Sequence, residues 1–216
     1  LAKMLGYTPN SPRAPKASVN IVVNNGTGTS ITMQKGTVFT SSVNNTSYQY
    51  VTNEDITTTP VDGVFTFSNV TLYEGTLVKF KYTVDETDVD QKFIIPSPNA
   101  DTSTLKVTVQ NSVSDTTTNT FTLSSGLTGV GSDSKVYFIQ ETTDGKFEVY
   151  FGDGVTGKKL DTGNLITLEY IVTNKTDSNG AKTFALQGSV GGFTDVSITT
   201  NSVSQGGAEA EDNESV

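Results

Sequence analysis

The sequence around residues 146–172 alternates apolar and more polar residues on both sides of a glycine cluster. Before the glycines, Phe147, Val149 and Phe151 occupy every second position, and a second alternating run extends from Leu165 to Val172. A period of two is typical of a β-strand, because successive side chains of a strand point to opposite faces of the sheet. The glycine cluster is therefore predicted to join two strands.

Gly152, Gly154 and Gly157 satisfy the spacing G-x-G-x-x-G of dinucleotide-binding sites. Such a site needs a helix directly after the glycines, since the helix N-terminus faces the pyrophosphate. Residues 158–163 are too few and too rich in turn formers to make that helix. We therefore interpret the glycines as a structural turn with no bound cofactor. The predicted turn consists of Phe151, Gly152, Asp153, Gly154 and Gly157.

Each residue of this turn has an expected task. We expect Gly152 and Gly154 to adopt positive φ, which glycine does without a steric penalty. The carboxylate of Asp153 should accept hydrogen bonds from nearby backbone N–H groups. Phe151 should anchor the turn in the core.

The composition of the 216 residues excludes several classes of function. The chain has no Cys, His or Trp. It therefore cannot build a Ser-His-Asp triad, a cysteine nucleophile or a zinc site of the usual nitrogen and sulfur type. We predict no catalytic residue, no metal site and no small-molecule substrate. The net charge of −9 also argues against nucleic acid and membrane surfaces as partners.

Short strands separated by turns of Gly, Asn, Asp and Pro predict an all-β fold, an antiparallel sandwich or barrel with almost no helix. The proline-rich segment 96–101 is the predicted boundary between two β subdomains. The predicted organisation is an extended segment at 1–16, a β subdomain at 17–97, a second at 98–205 that holds the glycine turn, and an acidic segment at 206–216.

The alternation from Val78 to Val84 predicts the most amphipathic strand of the chain. Phe80 and Tyr82 are expected to face the core, whereas Lys79 and Lys81 are expected to face solvent.

Two acidic segments allow more than one interpretation. The four carboxylates within Asp85–Asp90 could bind calcium, but their spacing does not match an EF-hand loop, and we favour a solvated hairpin tip. The acidic residues at 209–214 could form a binding tail, or they could be the first turn of a helix, where negative charge is favourable; we favour the helical turn, because the segment is short.

Several segments, in the same order along the chain, resemble one protein family. They are YFGDGVTG at 150–157, LAKMLGYTPNSPRAP at 1–15, KGTVFT at 35–40, NGA at 179–181 and GGAEAEDNES at 206–215. This set resembles the middle region of the baseplate wedge proteins of T4-like contractile-tailed phages, within the baseplate J-like family. The chain departs from the family at Lys175, where the resemblance implies a glycine.

The resemblance implies a structural role in the virion, in a tail baseplate assembled in the host cytoplasm. Two copies of the intact protein would pair within each wedge, neighbouring wedges would join into a ring around the hub, and the ring would rearrange when the sheath contracts. The implied partners are a second copy of the protein and other wedge proteins, and no catalytic step is involved.

The sequence allows two other functions. A surface or fibre-like β module could bind carbohydrate by stacking sugar rings on Tyr48, Tyr50 and Tyr73, although the absence of Trp weakens this hypothesis. A glycosidase could use two carboxylates at a suitable separation, but no pair stands out in the sequence.

Overall fold

The computed structural model describes residues 8–211, which form fifteen β-strands and one short 3-10 helix at Lys175–Ser178. The strands, in chain order, are β1 (Lys16–Val23), β2 (Ile31–Met33), β3 (Val38–Val43), β4 (Thr46–Val51), β5 (Ile56–Thr58), β6 (Phe65–Glu74), β7 (Thr76–Thr83), β8 (Phe93–Ile95), β9 (Ala100–Gln110), β10 (Thr118–Leu123), β11 (Val136–Glu141), β12 (Phe147–Phe151), β13 (Leu165–Val172), β14 (Ala185–Gln187) and β15 (Val196–Gln205). The predicted all-β fold with almost no helix is confirmed.

Thirteen of these strands form two barrel-like sheets, each nearly closed. The first sheet has the order β14-β3-β4-β6-β1-β15, and the pair β2-β5 packs beside it. The second sheet has the order β7-β13-β9-β10-β11-β12-β8. All strand pairs are antiparallel except β10 with β11. That parallel pair is possible because residues 124–135 form a connection long enough to bring the chain back to the starting end.

Each sheet has its own hydrophobic core. In the first sheet, β1 buries every second residue, and its Val19 and Ile21 are fully buried. The second core contains Val107, Val149 and Leu168. The two cores are joined by a small cluster of Ala14, Val51 and Ile171 between the sheets.

The second sheet is an insertion into the first. The chain leaves the first sheet after β6, builds β7 to β13, and then returns to the first sheet with β14 and β15. The sheets therefore do not divide at residues 97 and 98, because the proline-rich segment between β8 and β9 connects two strands of the same sheet. The subdomain limits 17–97 and 98–205 stay a prediction, and the strands of the two sheets are divided at other positions along the chain.

The two predicted flanking segments run together. Arg13 and Ala208 form an antiparallel bridge, with hydrogen bonds in both directions between their backbones. Glu211 accepts hydrogen bonds from the backbone N–H and the side-chain amide of Asn10. Residues 1–7 and 212–216 of these segments lie outside the described residues. Within residues 8–211, no helix has the length and apolar character needed to cross a membrane.

Candidate functional site

The glycine turn connects β12 to β13 without an intervening helix. Gly154 and Gly157 adopt φ of +87° and +86°. The Gly154 N–H donates to the Gly157 carbonyl oxygen at 3.0 Å, which closes the turn. No phosphate cradle of the dinucleotide type can form here, because no helix N-terminus follows the glycines.

Asp153 organises the tip of this turn. Its Oδ1 accepts hydrogen bonds from the backbone N–H groups of Val155 at 2.9 Å and Thr156 at 2.8 Å. The N–H groups of Thr156 and Val155 stabilise the ionised carboxylate, and they lower the pKa of Asp153 below its usual value. The carboxylate therefore stabilises the backbone of its own turn.

The prediction that Gly152 adopts positive φ is wrong. Only Gly154 and Gly157 do so within the turn. Gly152 instead lies against the backbone of Gly157, and a Cβ on Gly152 would sit 2.1 Å from the Gly157 carbonyl carbon. A glycine is needed at 152 because two backbone segments touch there, and not because of its own backbone conformation.

Phe151 connects the turn to the second core. Its ring packs edge-to-face against Phe93 at 5.8 Å and Phe121 at 5.4 Å between ring centres. The far side of the turn is held by Gly157, whose N–H donates to the Gly131 carbonyl oxygen at 3.1 Å. The turn is therefore fixed to two separate parts of the second sheet.

A second group of polar contacts lies where the chain passes between the sheets. The Glu74 side chain is fully buried at the end of β6. Its carboxylate accepts hydrogen bonds from the Thr173 hydroxyl at 2.6 Å and from the backbone N–H and side-chain amide of Asn174 at 2.9 and 2.6 Å. The connection that leaves the first sheet is thus bonded to the connection that returns to it.

Gly75 allows these two connections to come close together. It has φ of +123°, and a Cβ at this position would lie 2.1 Å from the Val172 carbonyl oxygen. The Gly75 N–H donates to the Gln49 carbonyl oxygen at 2.9 Å. Any larger residue would force apart the strands that join the two sheets.

Two more buried carboxylates lie near this junction. Asp101 accepts hydrogen bonds from the Ala14 backbone N–H at 2.8 Å and from the backbone and hydroxyl of Ser103. The Glu169 carboxylate on β13 forms two ion pairs. One is with Lys35, which lies between β2 and β3, at 3.1 Å, and the other is with Lys79 of β7 at 3.4 Å. Such pairing compensates for the removal of a charge from water.

The buried carboxylates were not singled out from the sequence. Asp101 lies in segment 96–101, which the sequence predicted as a boundary between subdomains. Glu169 could have been found from the sequence. It lies between Leu168 and Tyr170 in a largely apolar strand, and this position indicates that its carboxylate is buried. All three carboxylates form hydrogen bonds or ion pairs with groups of the protein itself, as is usual for carboxylates with a structural role.

The tyrosines proposed to stack on sugar rings are not exposed. Tyr50 is fully buried, and its hydroxyl donates to the Ser178 carbonyl oxygen at 3.0 Å and bonds the Ser204 hydroxyl at 2.8 Å. Tyr48 and Tyr73 are half-buried against hydrophobic clusters. The expectation of a surface platform built from these three rings is wrong.

The acidic loop Asp85–Asp90 makes local contacts. The Asp85 carboxylate accepts hydrogen bonds from the Thr87 backbone and hydroxyl, and Glu86 pairs with Lys159 at 2.7 Å. Within residues 8–211, no group of three or more acidic residues is arranged to hold a metal ion.

Comparison with known proteins identifies the family. Residues 77–182 match the profile of the family described as bacteriophage baseplate wedge protein gp6, third domain. The chain is also 26% identical over 215 residues to the baseplate wedge protein gp6 of Enterobacteria phage T4, covering 91% of this chain and 31% of that protein. Residues 77–182 belong to the baseplate wedge protein family, and the similarity to gp6 extends over most of the chain. The resemblance found in the sequence is confirmed.

Family membership assigns the chain to the virion, as a structural protein of the tail baseplate. The chain spans about a third of the length of the curated relative that it matches. The matched range begins in β7 and ends beyond β13, so that the family's third domain corresponds to the inserted second sheet.

The departure from the family pattern at Lys175 has a clear geometry. Lys175, where the resemblance implies a glycine, adopts φ of +64°. Its ammonium group pairs with Glu209 at 2.6 Å, and its backbone N–H donates to the Thr173 hydroxyl at 2.8 Å. These contacts hold the lysine in the left-handed conformation that glycine would adopt more easily.

Proposed function

We propose that this chain is a non-catalytic connecting part of the baseplate wedge, acting through protein–protein contacts. In the intact protein it would pair with a second copy, and it would help to join neighbouring wedges into a ring around the hub. The same contacts would rearrange when the sheath contracts. No nucleic acid, membrane or small-molecule substrate takes part in this role.

The observation that carries the proposal is the family match together with the bonded junction between the sheets. Glu74 and Gly75 hold the inserted second sheet against the first through short hydrogen bonds and close backbone packing. A part built in this way can transmit a displacement between surfaces on its two sheets with little internal deformation. That property suits a component of a ring that changes shape as a whole.

The rearrangement can be tested with single cysteines, since this chain contains none. Val89, Val113 and Val155 are exposed by 91%, 80% and 76% and lie on different loops of the second sheet. Each would be replaced by Cys in the intact protein within assembled tails. Labelling by a maleimide dye would then be compared before and after sheath contraction.

We expect the labelling rate of at least one site to change severalfold between the two states. The parent protein without the introduced cysteine gives the background, and free protein outside the tail gives the rate without partners. Equal rates at all three sites in free protein, extended tails and contracted tails would contradict a contact role for the second sheet.

The joining role requires a separate assay. Residues 76–172 would be replaced by a short linker in the intact protein, and the wedges would be analysed by gradient sedimentation and electron microscopy. We expect rings to be lost. Rings that form normally with this deletion would show that wedges are joined by other parts of the protein.

A further inference from the structure

One edge of the second sheet is open. β7 is the terminal strand, and β13 pairs with it along its whole length on one side. Within residues 8–211, no strand pairs with the other side of β7. In an antiparallel pair, every second residue of a terminal strand points its N–H and C=O groups away from its neighbour. The Gln91 side chain already donates to the Thr83 carbonyl oxygen at the end of β7. The rest of the unpaired edge, along residues 76–82, therefore offers backbone donors and acceptors to an added strand.

The core-facing side of β7 is incompletely covered. Val78 and Tyr82 pack against the second core, but Phe80 between them is 39% exposed. The centres of the Phe80 and Tyr82 rings lie 5.1 Å apart. The sequence predicted a buried Phe80, whereas the structure leaves it partly exposed next to the unpaired edge of β7. An apolar side chain from an added strand would fill this position.

The opposite face of β7 is strongly basic. The strand register aligns Lys79 with Glu169 and Lys106 across three strands, and Lys81 lies in the next row. Lys35 completes the group, and these side chains line a cleft of about 260 Å³. We call these five residues, Lys35, Lys79, Lys81, Lys106 and Glu169, the lysine cleft.

The lysine cleft has a formal charge of +3 in a chain whose total is −9, so the remaining residues carry −12. Glu169 is paired with Lys35 and Lys79. Lys106 donates to the Asn53 carbonyl oxygen, which leaves its charge unneutralised. Lys81 forms no ion pair with any described residue. The lysine cleft is therefore a positively charged site, suited to binding a negatively charged group, in a chain that is otherwise acidic.

Charge also decides which strand can pair with β7. A second copy of β7 would place Lys79 and Lys81 opposite other lysines, and like charges on facing strands are destabilising. A strand with carboxylates on one face and apolar side chains on the other would meet the lysine cleft with the first face and Phe80 with the second. Both requirements are met by a segment in which acidic and apolar residues alternate.

We infer that β7 takes up an extended acidic segment of another polypeptide as an added strand of the second sheet. The inference rests on the proposed function, in which the chain acts through protein contacts, and it specifies the chemistry of one partner. Backbone hydrogen bonds supply the pairing, Phe80 supplies the apolar contact, and the lysine cleft selects acidic over basic or neutral segments.

The test uses the 216-residue chain and a fluorescein-labelled octapeptide of alternating Glu and Val, with binding measured by fluorescence anisotropy. We expect binding that weakens as salt is raised, and no comparable binding of the alternating Lys and Val peptide. Methylation of alternate backbone nitrogens on the peptide's β7-facing edge should abolish binding, because it removes the pairing hydrogen bonds without changing charge. Equal affinity for the methylated peptide would overturn the inference.

Substitutions locate the binding site. Lys81→Glu should weaken peptide binding about tenfold, since it replaces one attraction by one repulsion at a surface site. Lys182→Glu, an exposed lysine near the first sheet, is the matched control and should leave binding unchanged. Phe80→Ser tests the apolar contact and should also weaken binding. Melting temperatures of all variants establish that they are folded.

Two further outcomes would overturn the inference: no peptide binding by the folded chain, or tighter binding of a ten-nucleotide oligothymidine than of the acidic peptide. The second result would assign the cleft to nucleic acid. The intact protein carrying Lys81→Glu would also be tested for incorporation into tails. Normal incorporation together with failed peptide binding would reject this inference and leave the proposed function standing.

Discussion

Replacement of Gly152 by Ala tests the close backbone contact in the glycine turn. The added Cβ would lie 2.1 Å from the Gly157 carbonyl carbon and 2.2 Å from its oxygen. Non-bonded carbons pack best at about 3.5–4.0 Å, so the two backbone segments would have to separate by more than about 1 Å.

The size of the effect follows from what holds Gly157 in place. Its N–H donates to the Gly131 carbonyl oxygen at 3.1 Å, and its own carbonyl accepts from the Gly154 N–H at 3.0 Å. Loss of both hydrogen bonds costs about 1 kcal/mol each. Residual strain adds about 1–3 kcal/mol. The free energy of unfolding should therefore fall by about 3–5 kcal/mol in Gly152→Ala.

Two other glycines serve as controls. Gly154 has positive φ, but the nearest atom to its added Cβ is 3.6 Å away, so Gly154→Ala should cost only about 1–2 kcal/mol from backbone strain. Gly126 has neither positive φ nor any atom within 4 Å of an added Cβ. Gly126→Ala should be close to neutral.

The stabilities would be measured by urea and thermal unfolding followed by far-UV circular dichroism, since the chain has no Trp to report by fluorescence. For a chain of this length, the expected loss in Gly152→Ala corresponds to a melting temperature lowered by about 6–20 °C. Our reasoning is refuted if Gly152→Ala is as stable as Gly126→Ala, or if Gly154→Ala is the more destabilised of the two turn variants.

Substitutions at three other positions test the junction and the turn. Gly75→Ala should destabilise the fold by about 3–5 kcal/mol, because its Cβ would lie 2.1 Å from the Val172 carbonyl oxygen; a melting temperature within about 2 °C of the parent would contradict this. Glu74→Ala should cost about 2–4 kcal/mol in urea unfolding, since the Asn174 amide loses its buried partner, and Glu74→Gln, which keeps an acceptor, should cost less. Asp153 has a pKa lowered in the folded state, so its contribution to stability is present above the unfolded pKa of about 3.9 and is lost as the pH falls through the folded pKa. The stability difference between the parent and Asp153→Ala should accordingly be constant above about pH 5 and shrink below about pH 4, and a difference that grows on acidification would contradict the assignment.

The local parts of the fold were predictable from the sequence. The strand Leu165–Val172 has the bounds of the predicted alternating run, and the predicted alternation of Phe147, Val149 and Phe151 corresponds to β12. These elements follow from alternation and turn residues, which are properties of neighbouring positions. The family was predictable for a similar reason, since short segments such as the glycine turn keep their order along the chain.

The arrangement of the strands was not predictable in the same way. The pairing of β15 with β1 and the insertion of the second sheet depend on contacts between distant residues, and no local pattern specifies them. The same holds for Gly152, whose requirement for glycine comes from Gly157 five positions later in the chain. Tyr50 looks like a surface ring in the sequence, but a tyrosine can be fully buried once its hydroxyl finds partners such as Ser178 and Ser204.

The two connections between the sheets have a consequence for protein engineering. Because the Glu74 carboxylate and the Thr173 hydroxyl lie 2.6 Å apart, the strands from β7 to β13 form a cassette with adjacent ends. Cutting at both ends and bridging the gap with a few residues would leave every strand of the remaining sheet in its original order. The cassette can therefore be exchanged or deleted as one piece without interrupting the strand order of the first sheet.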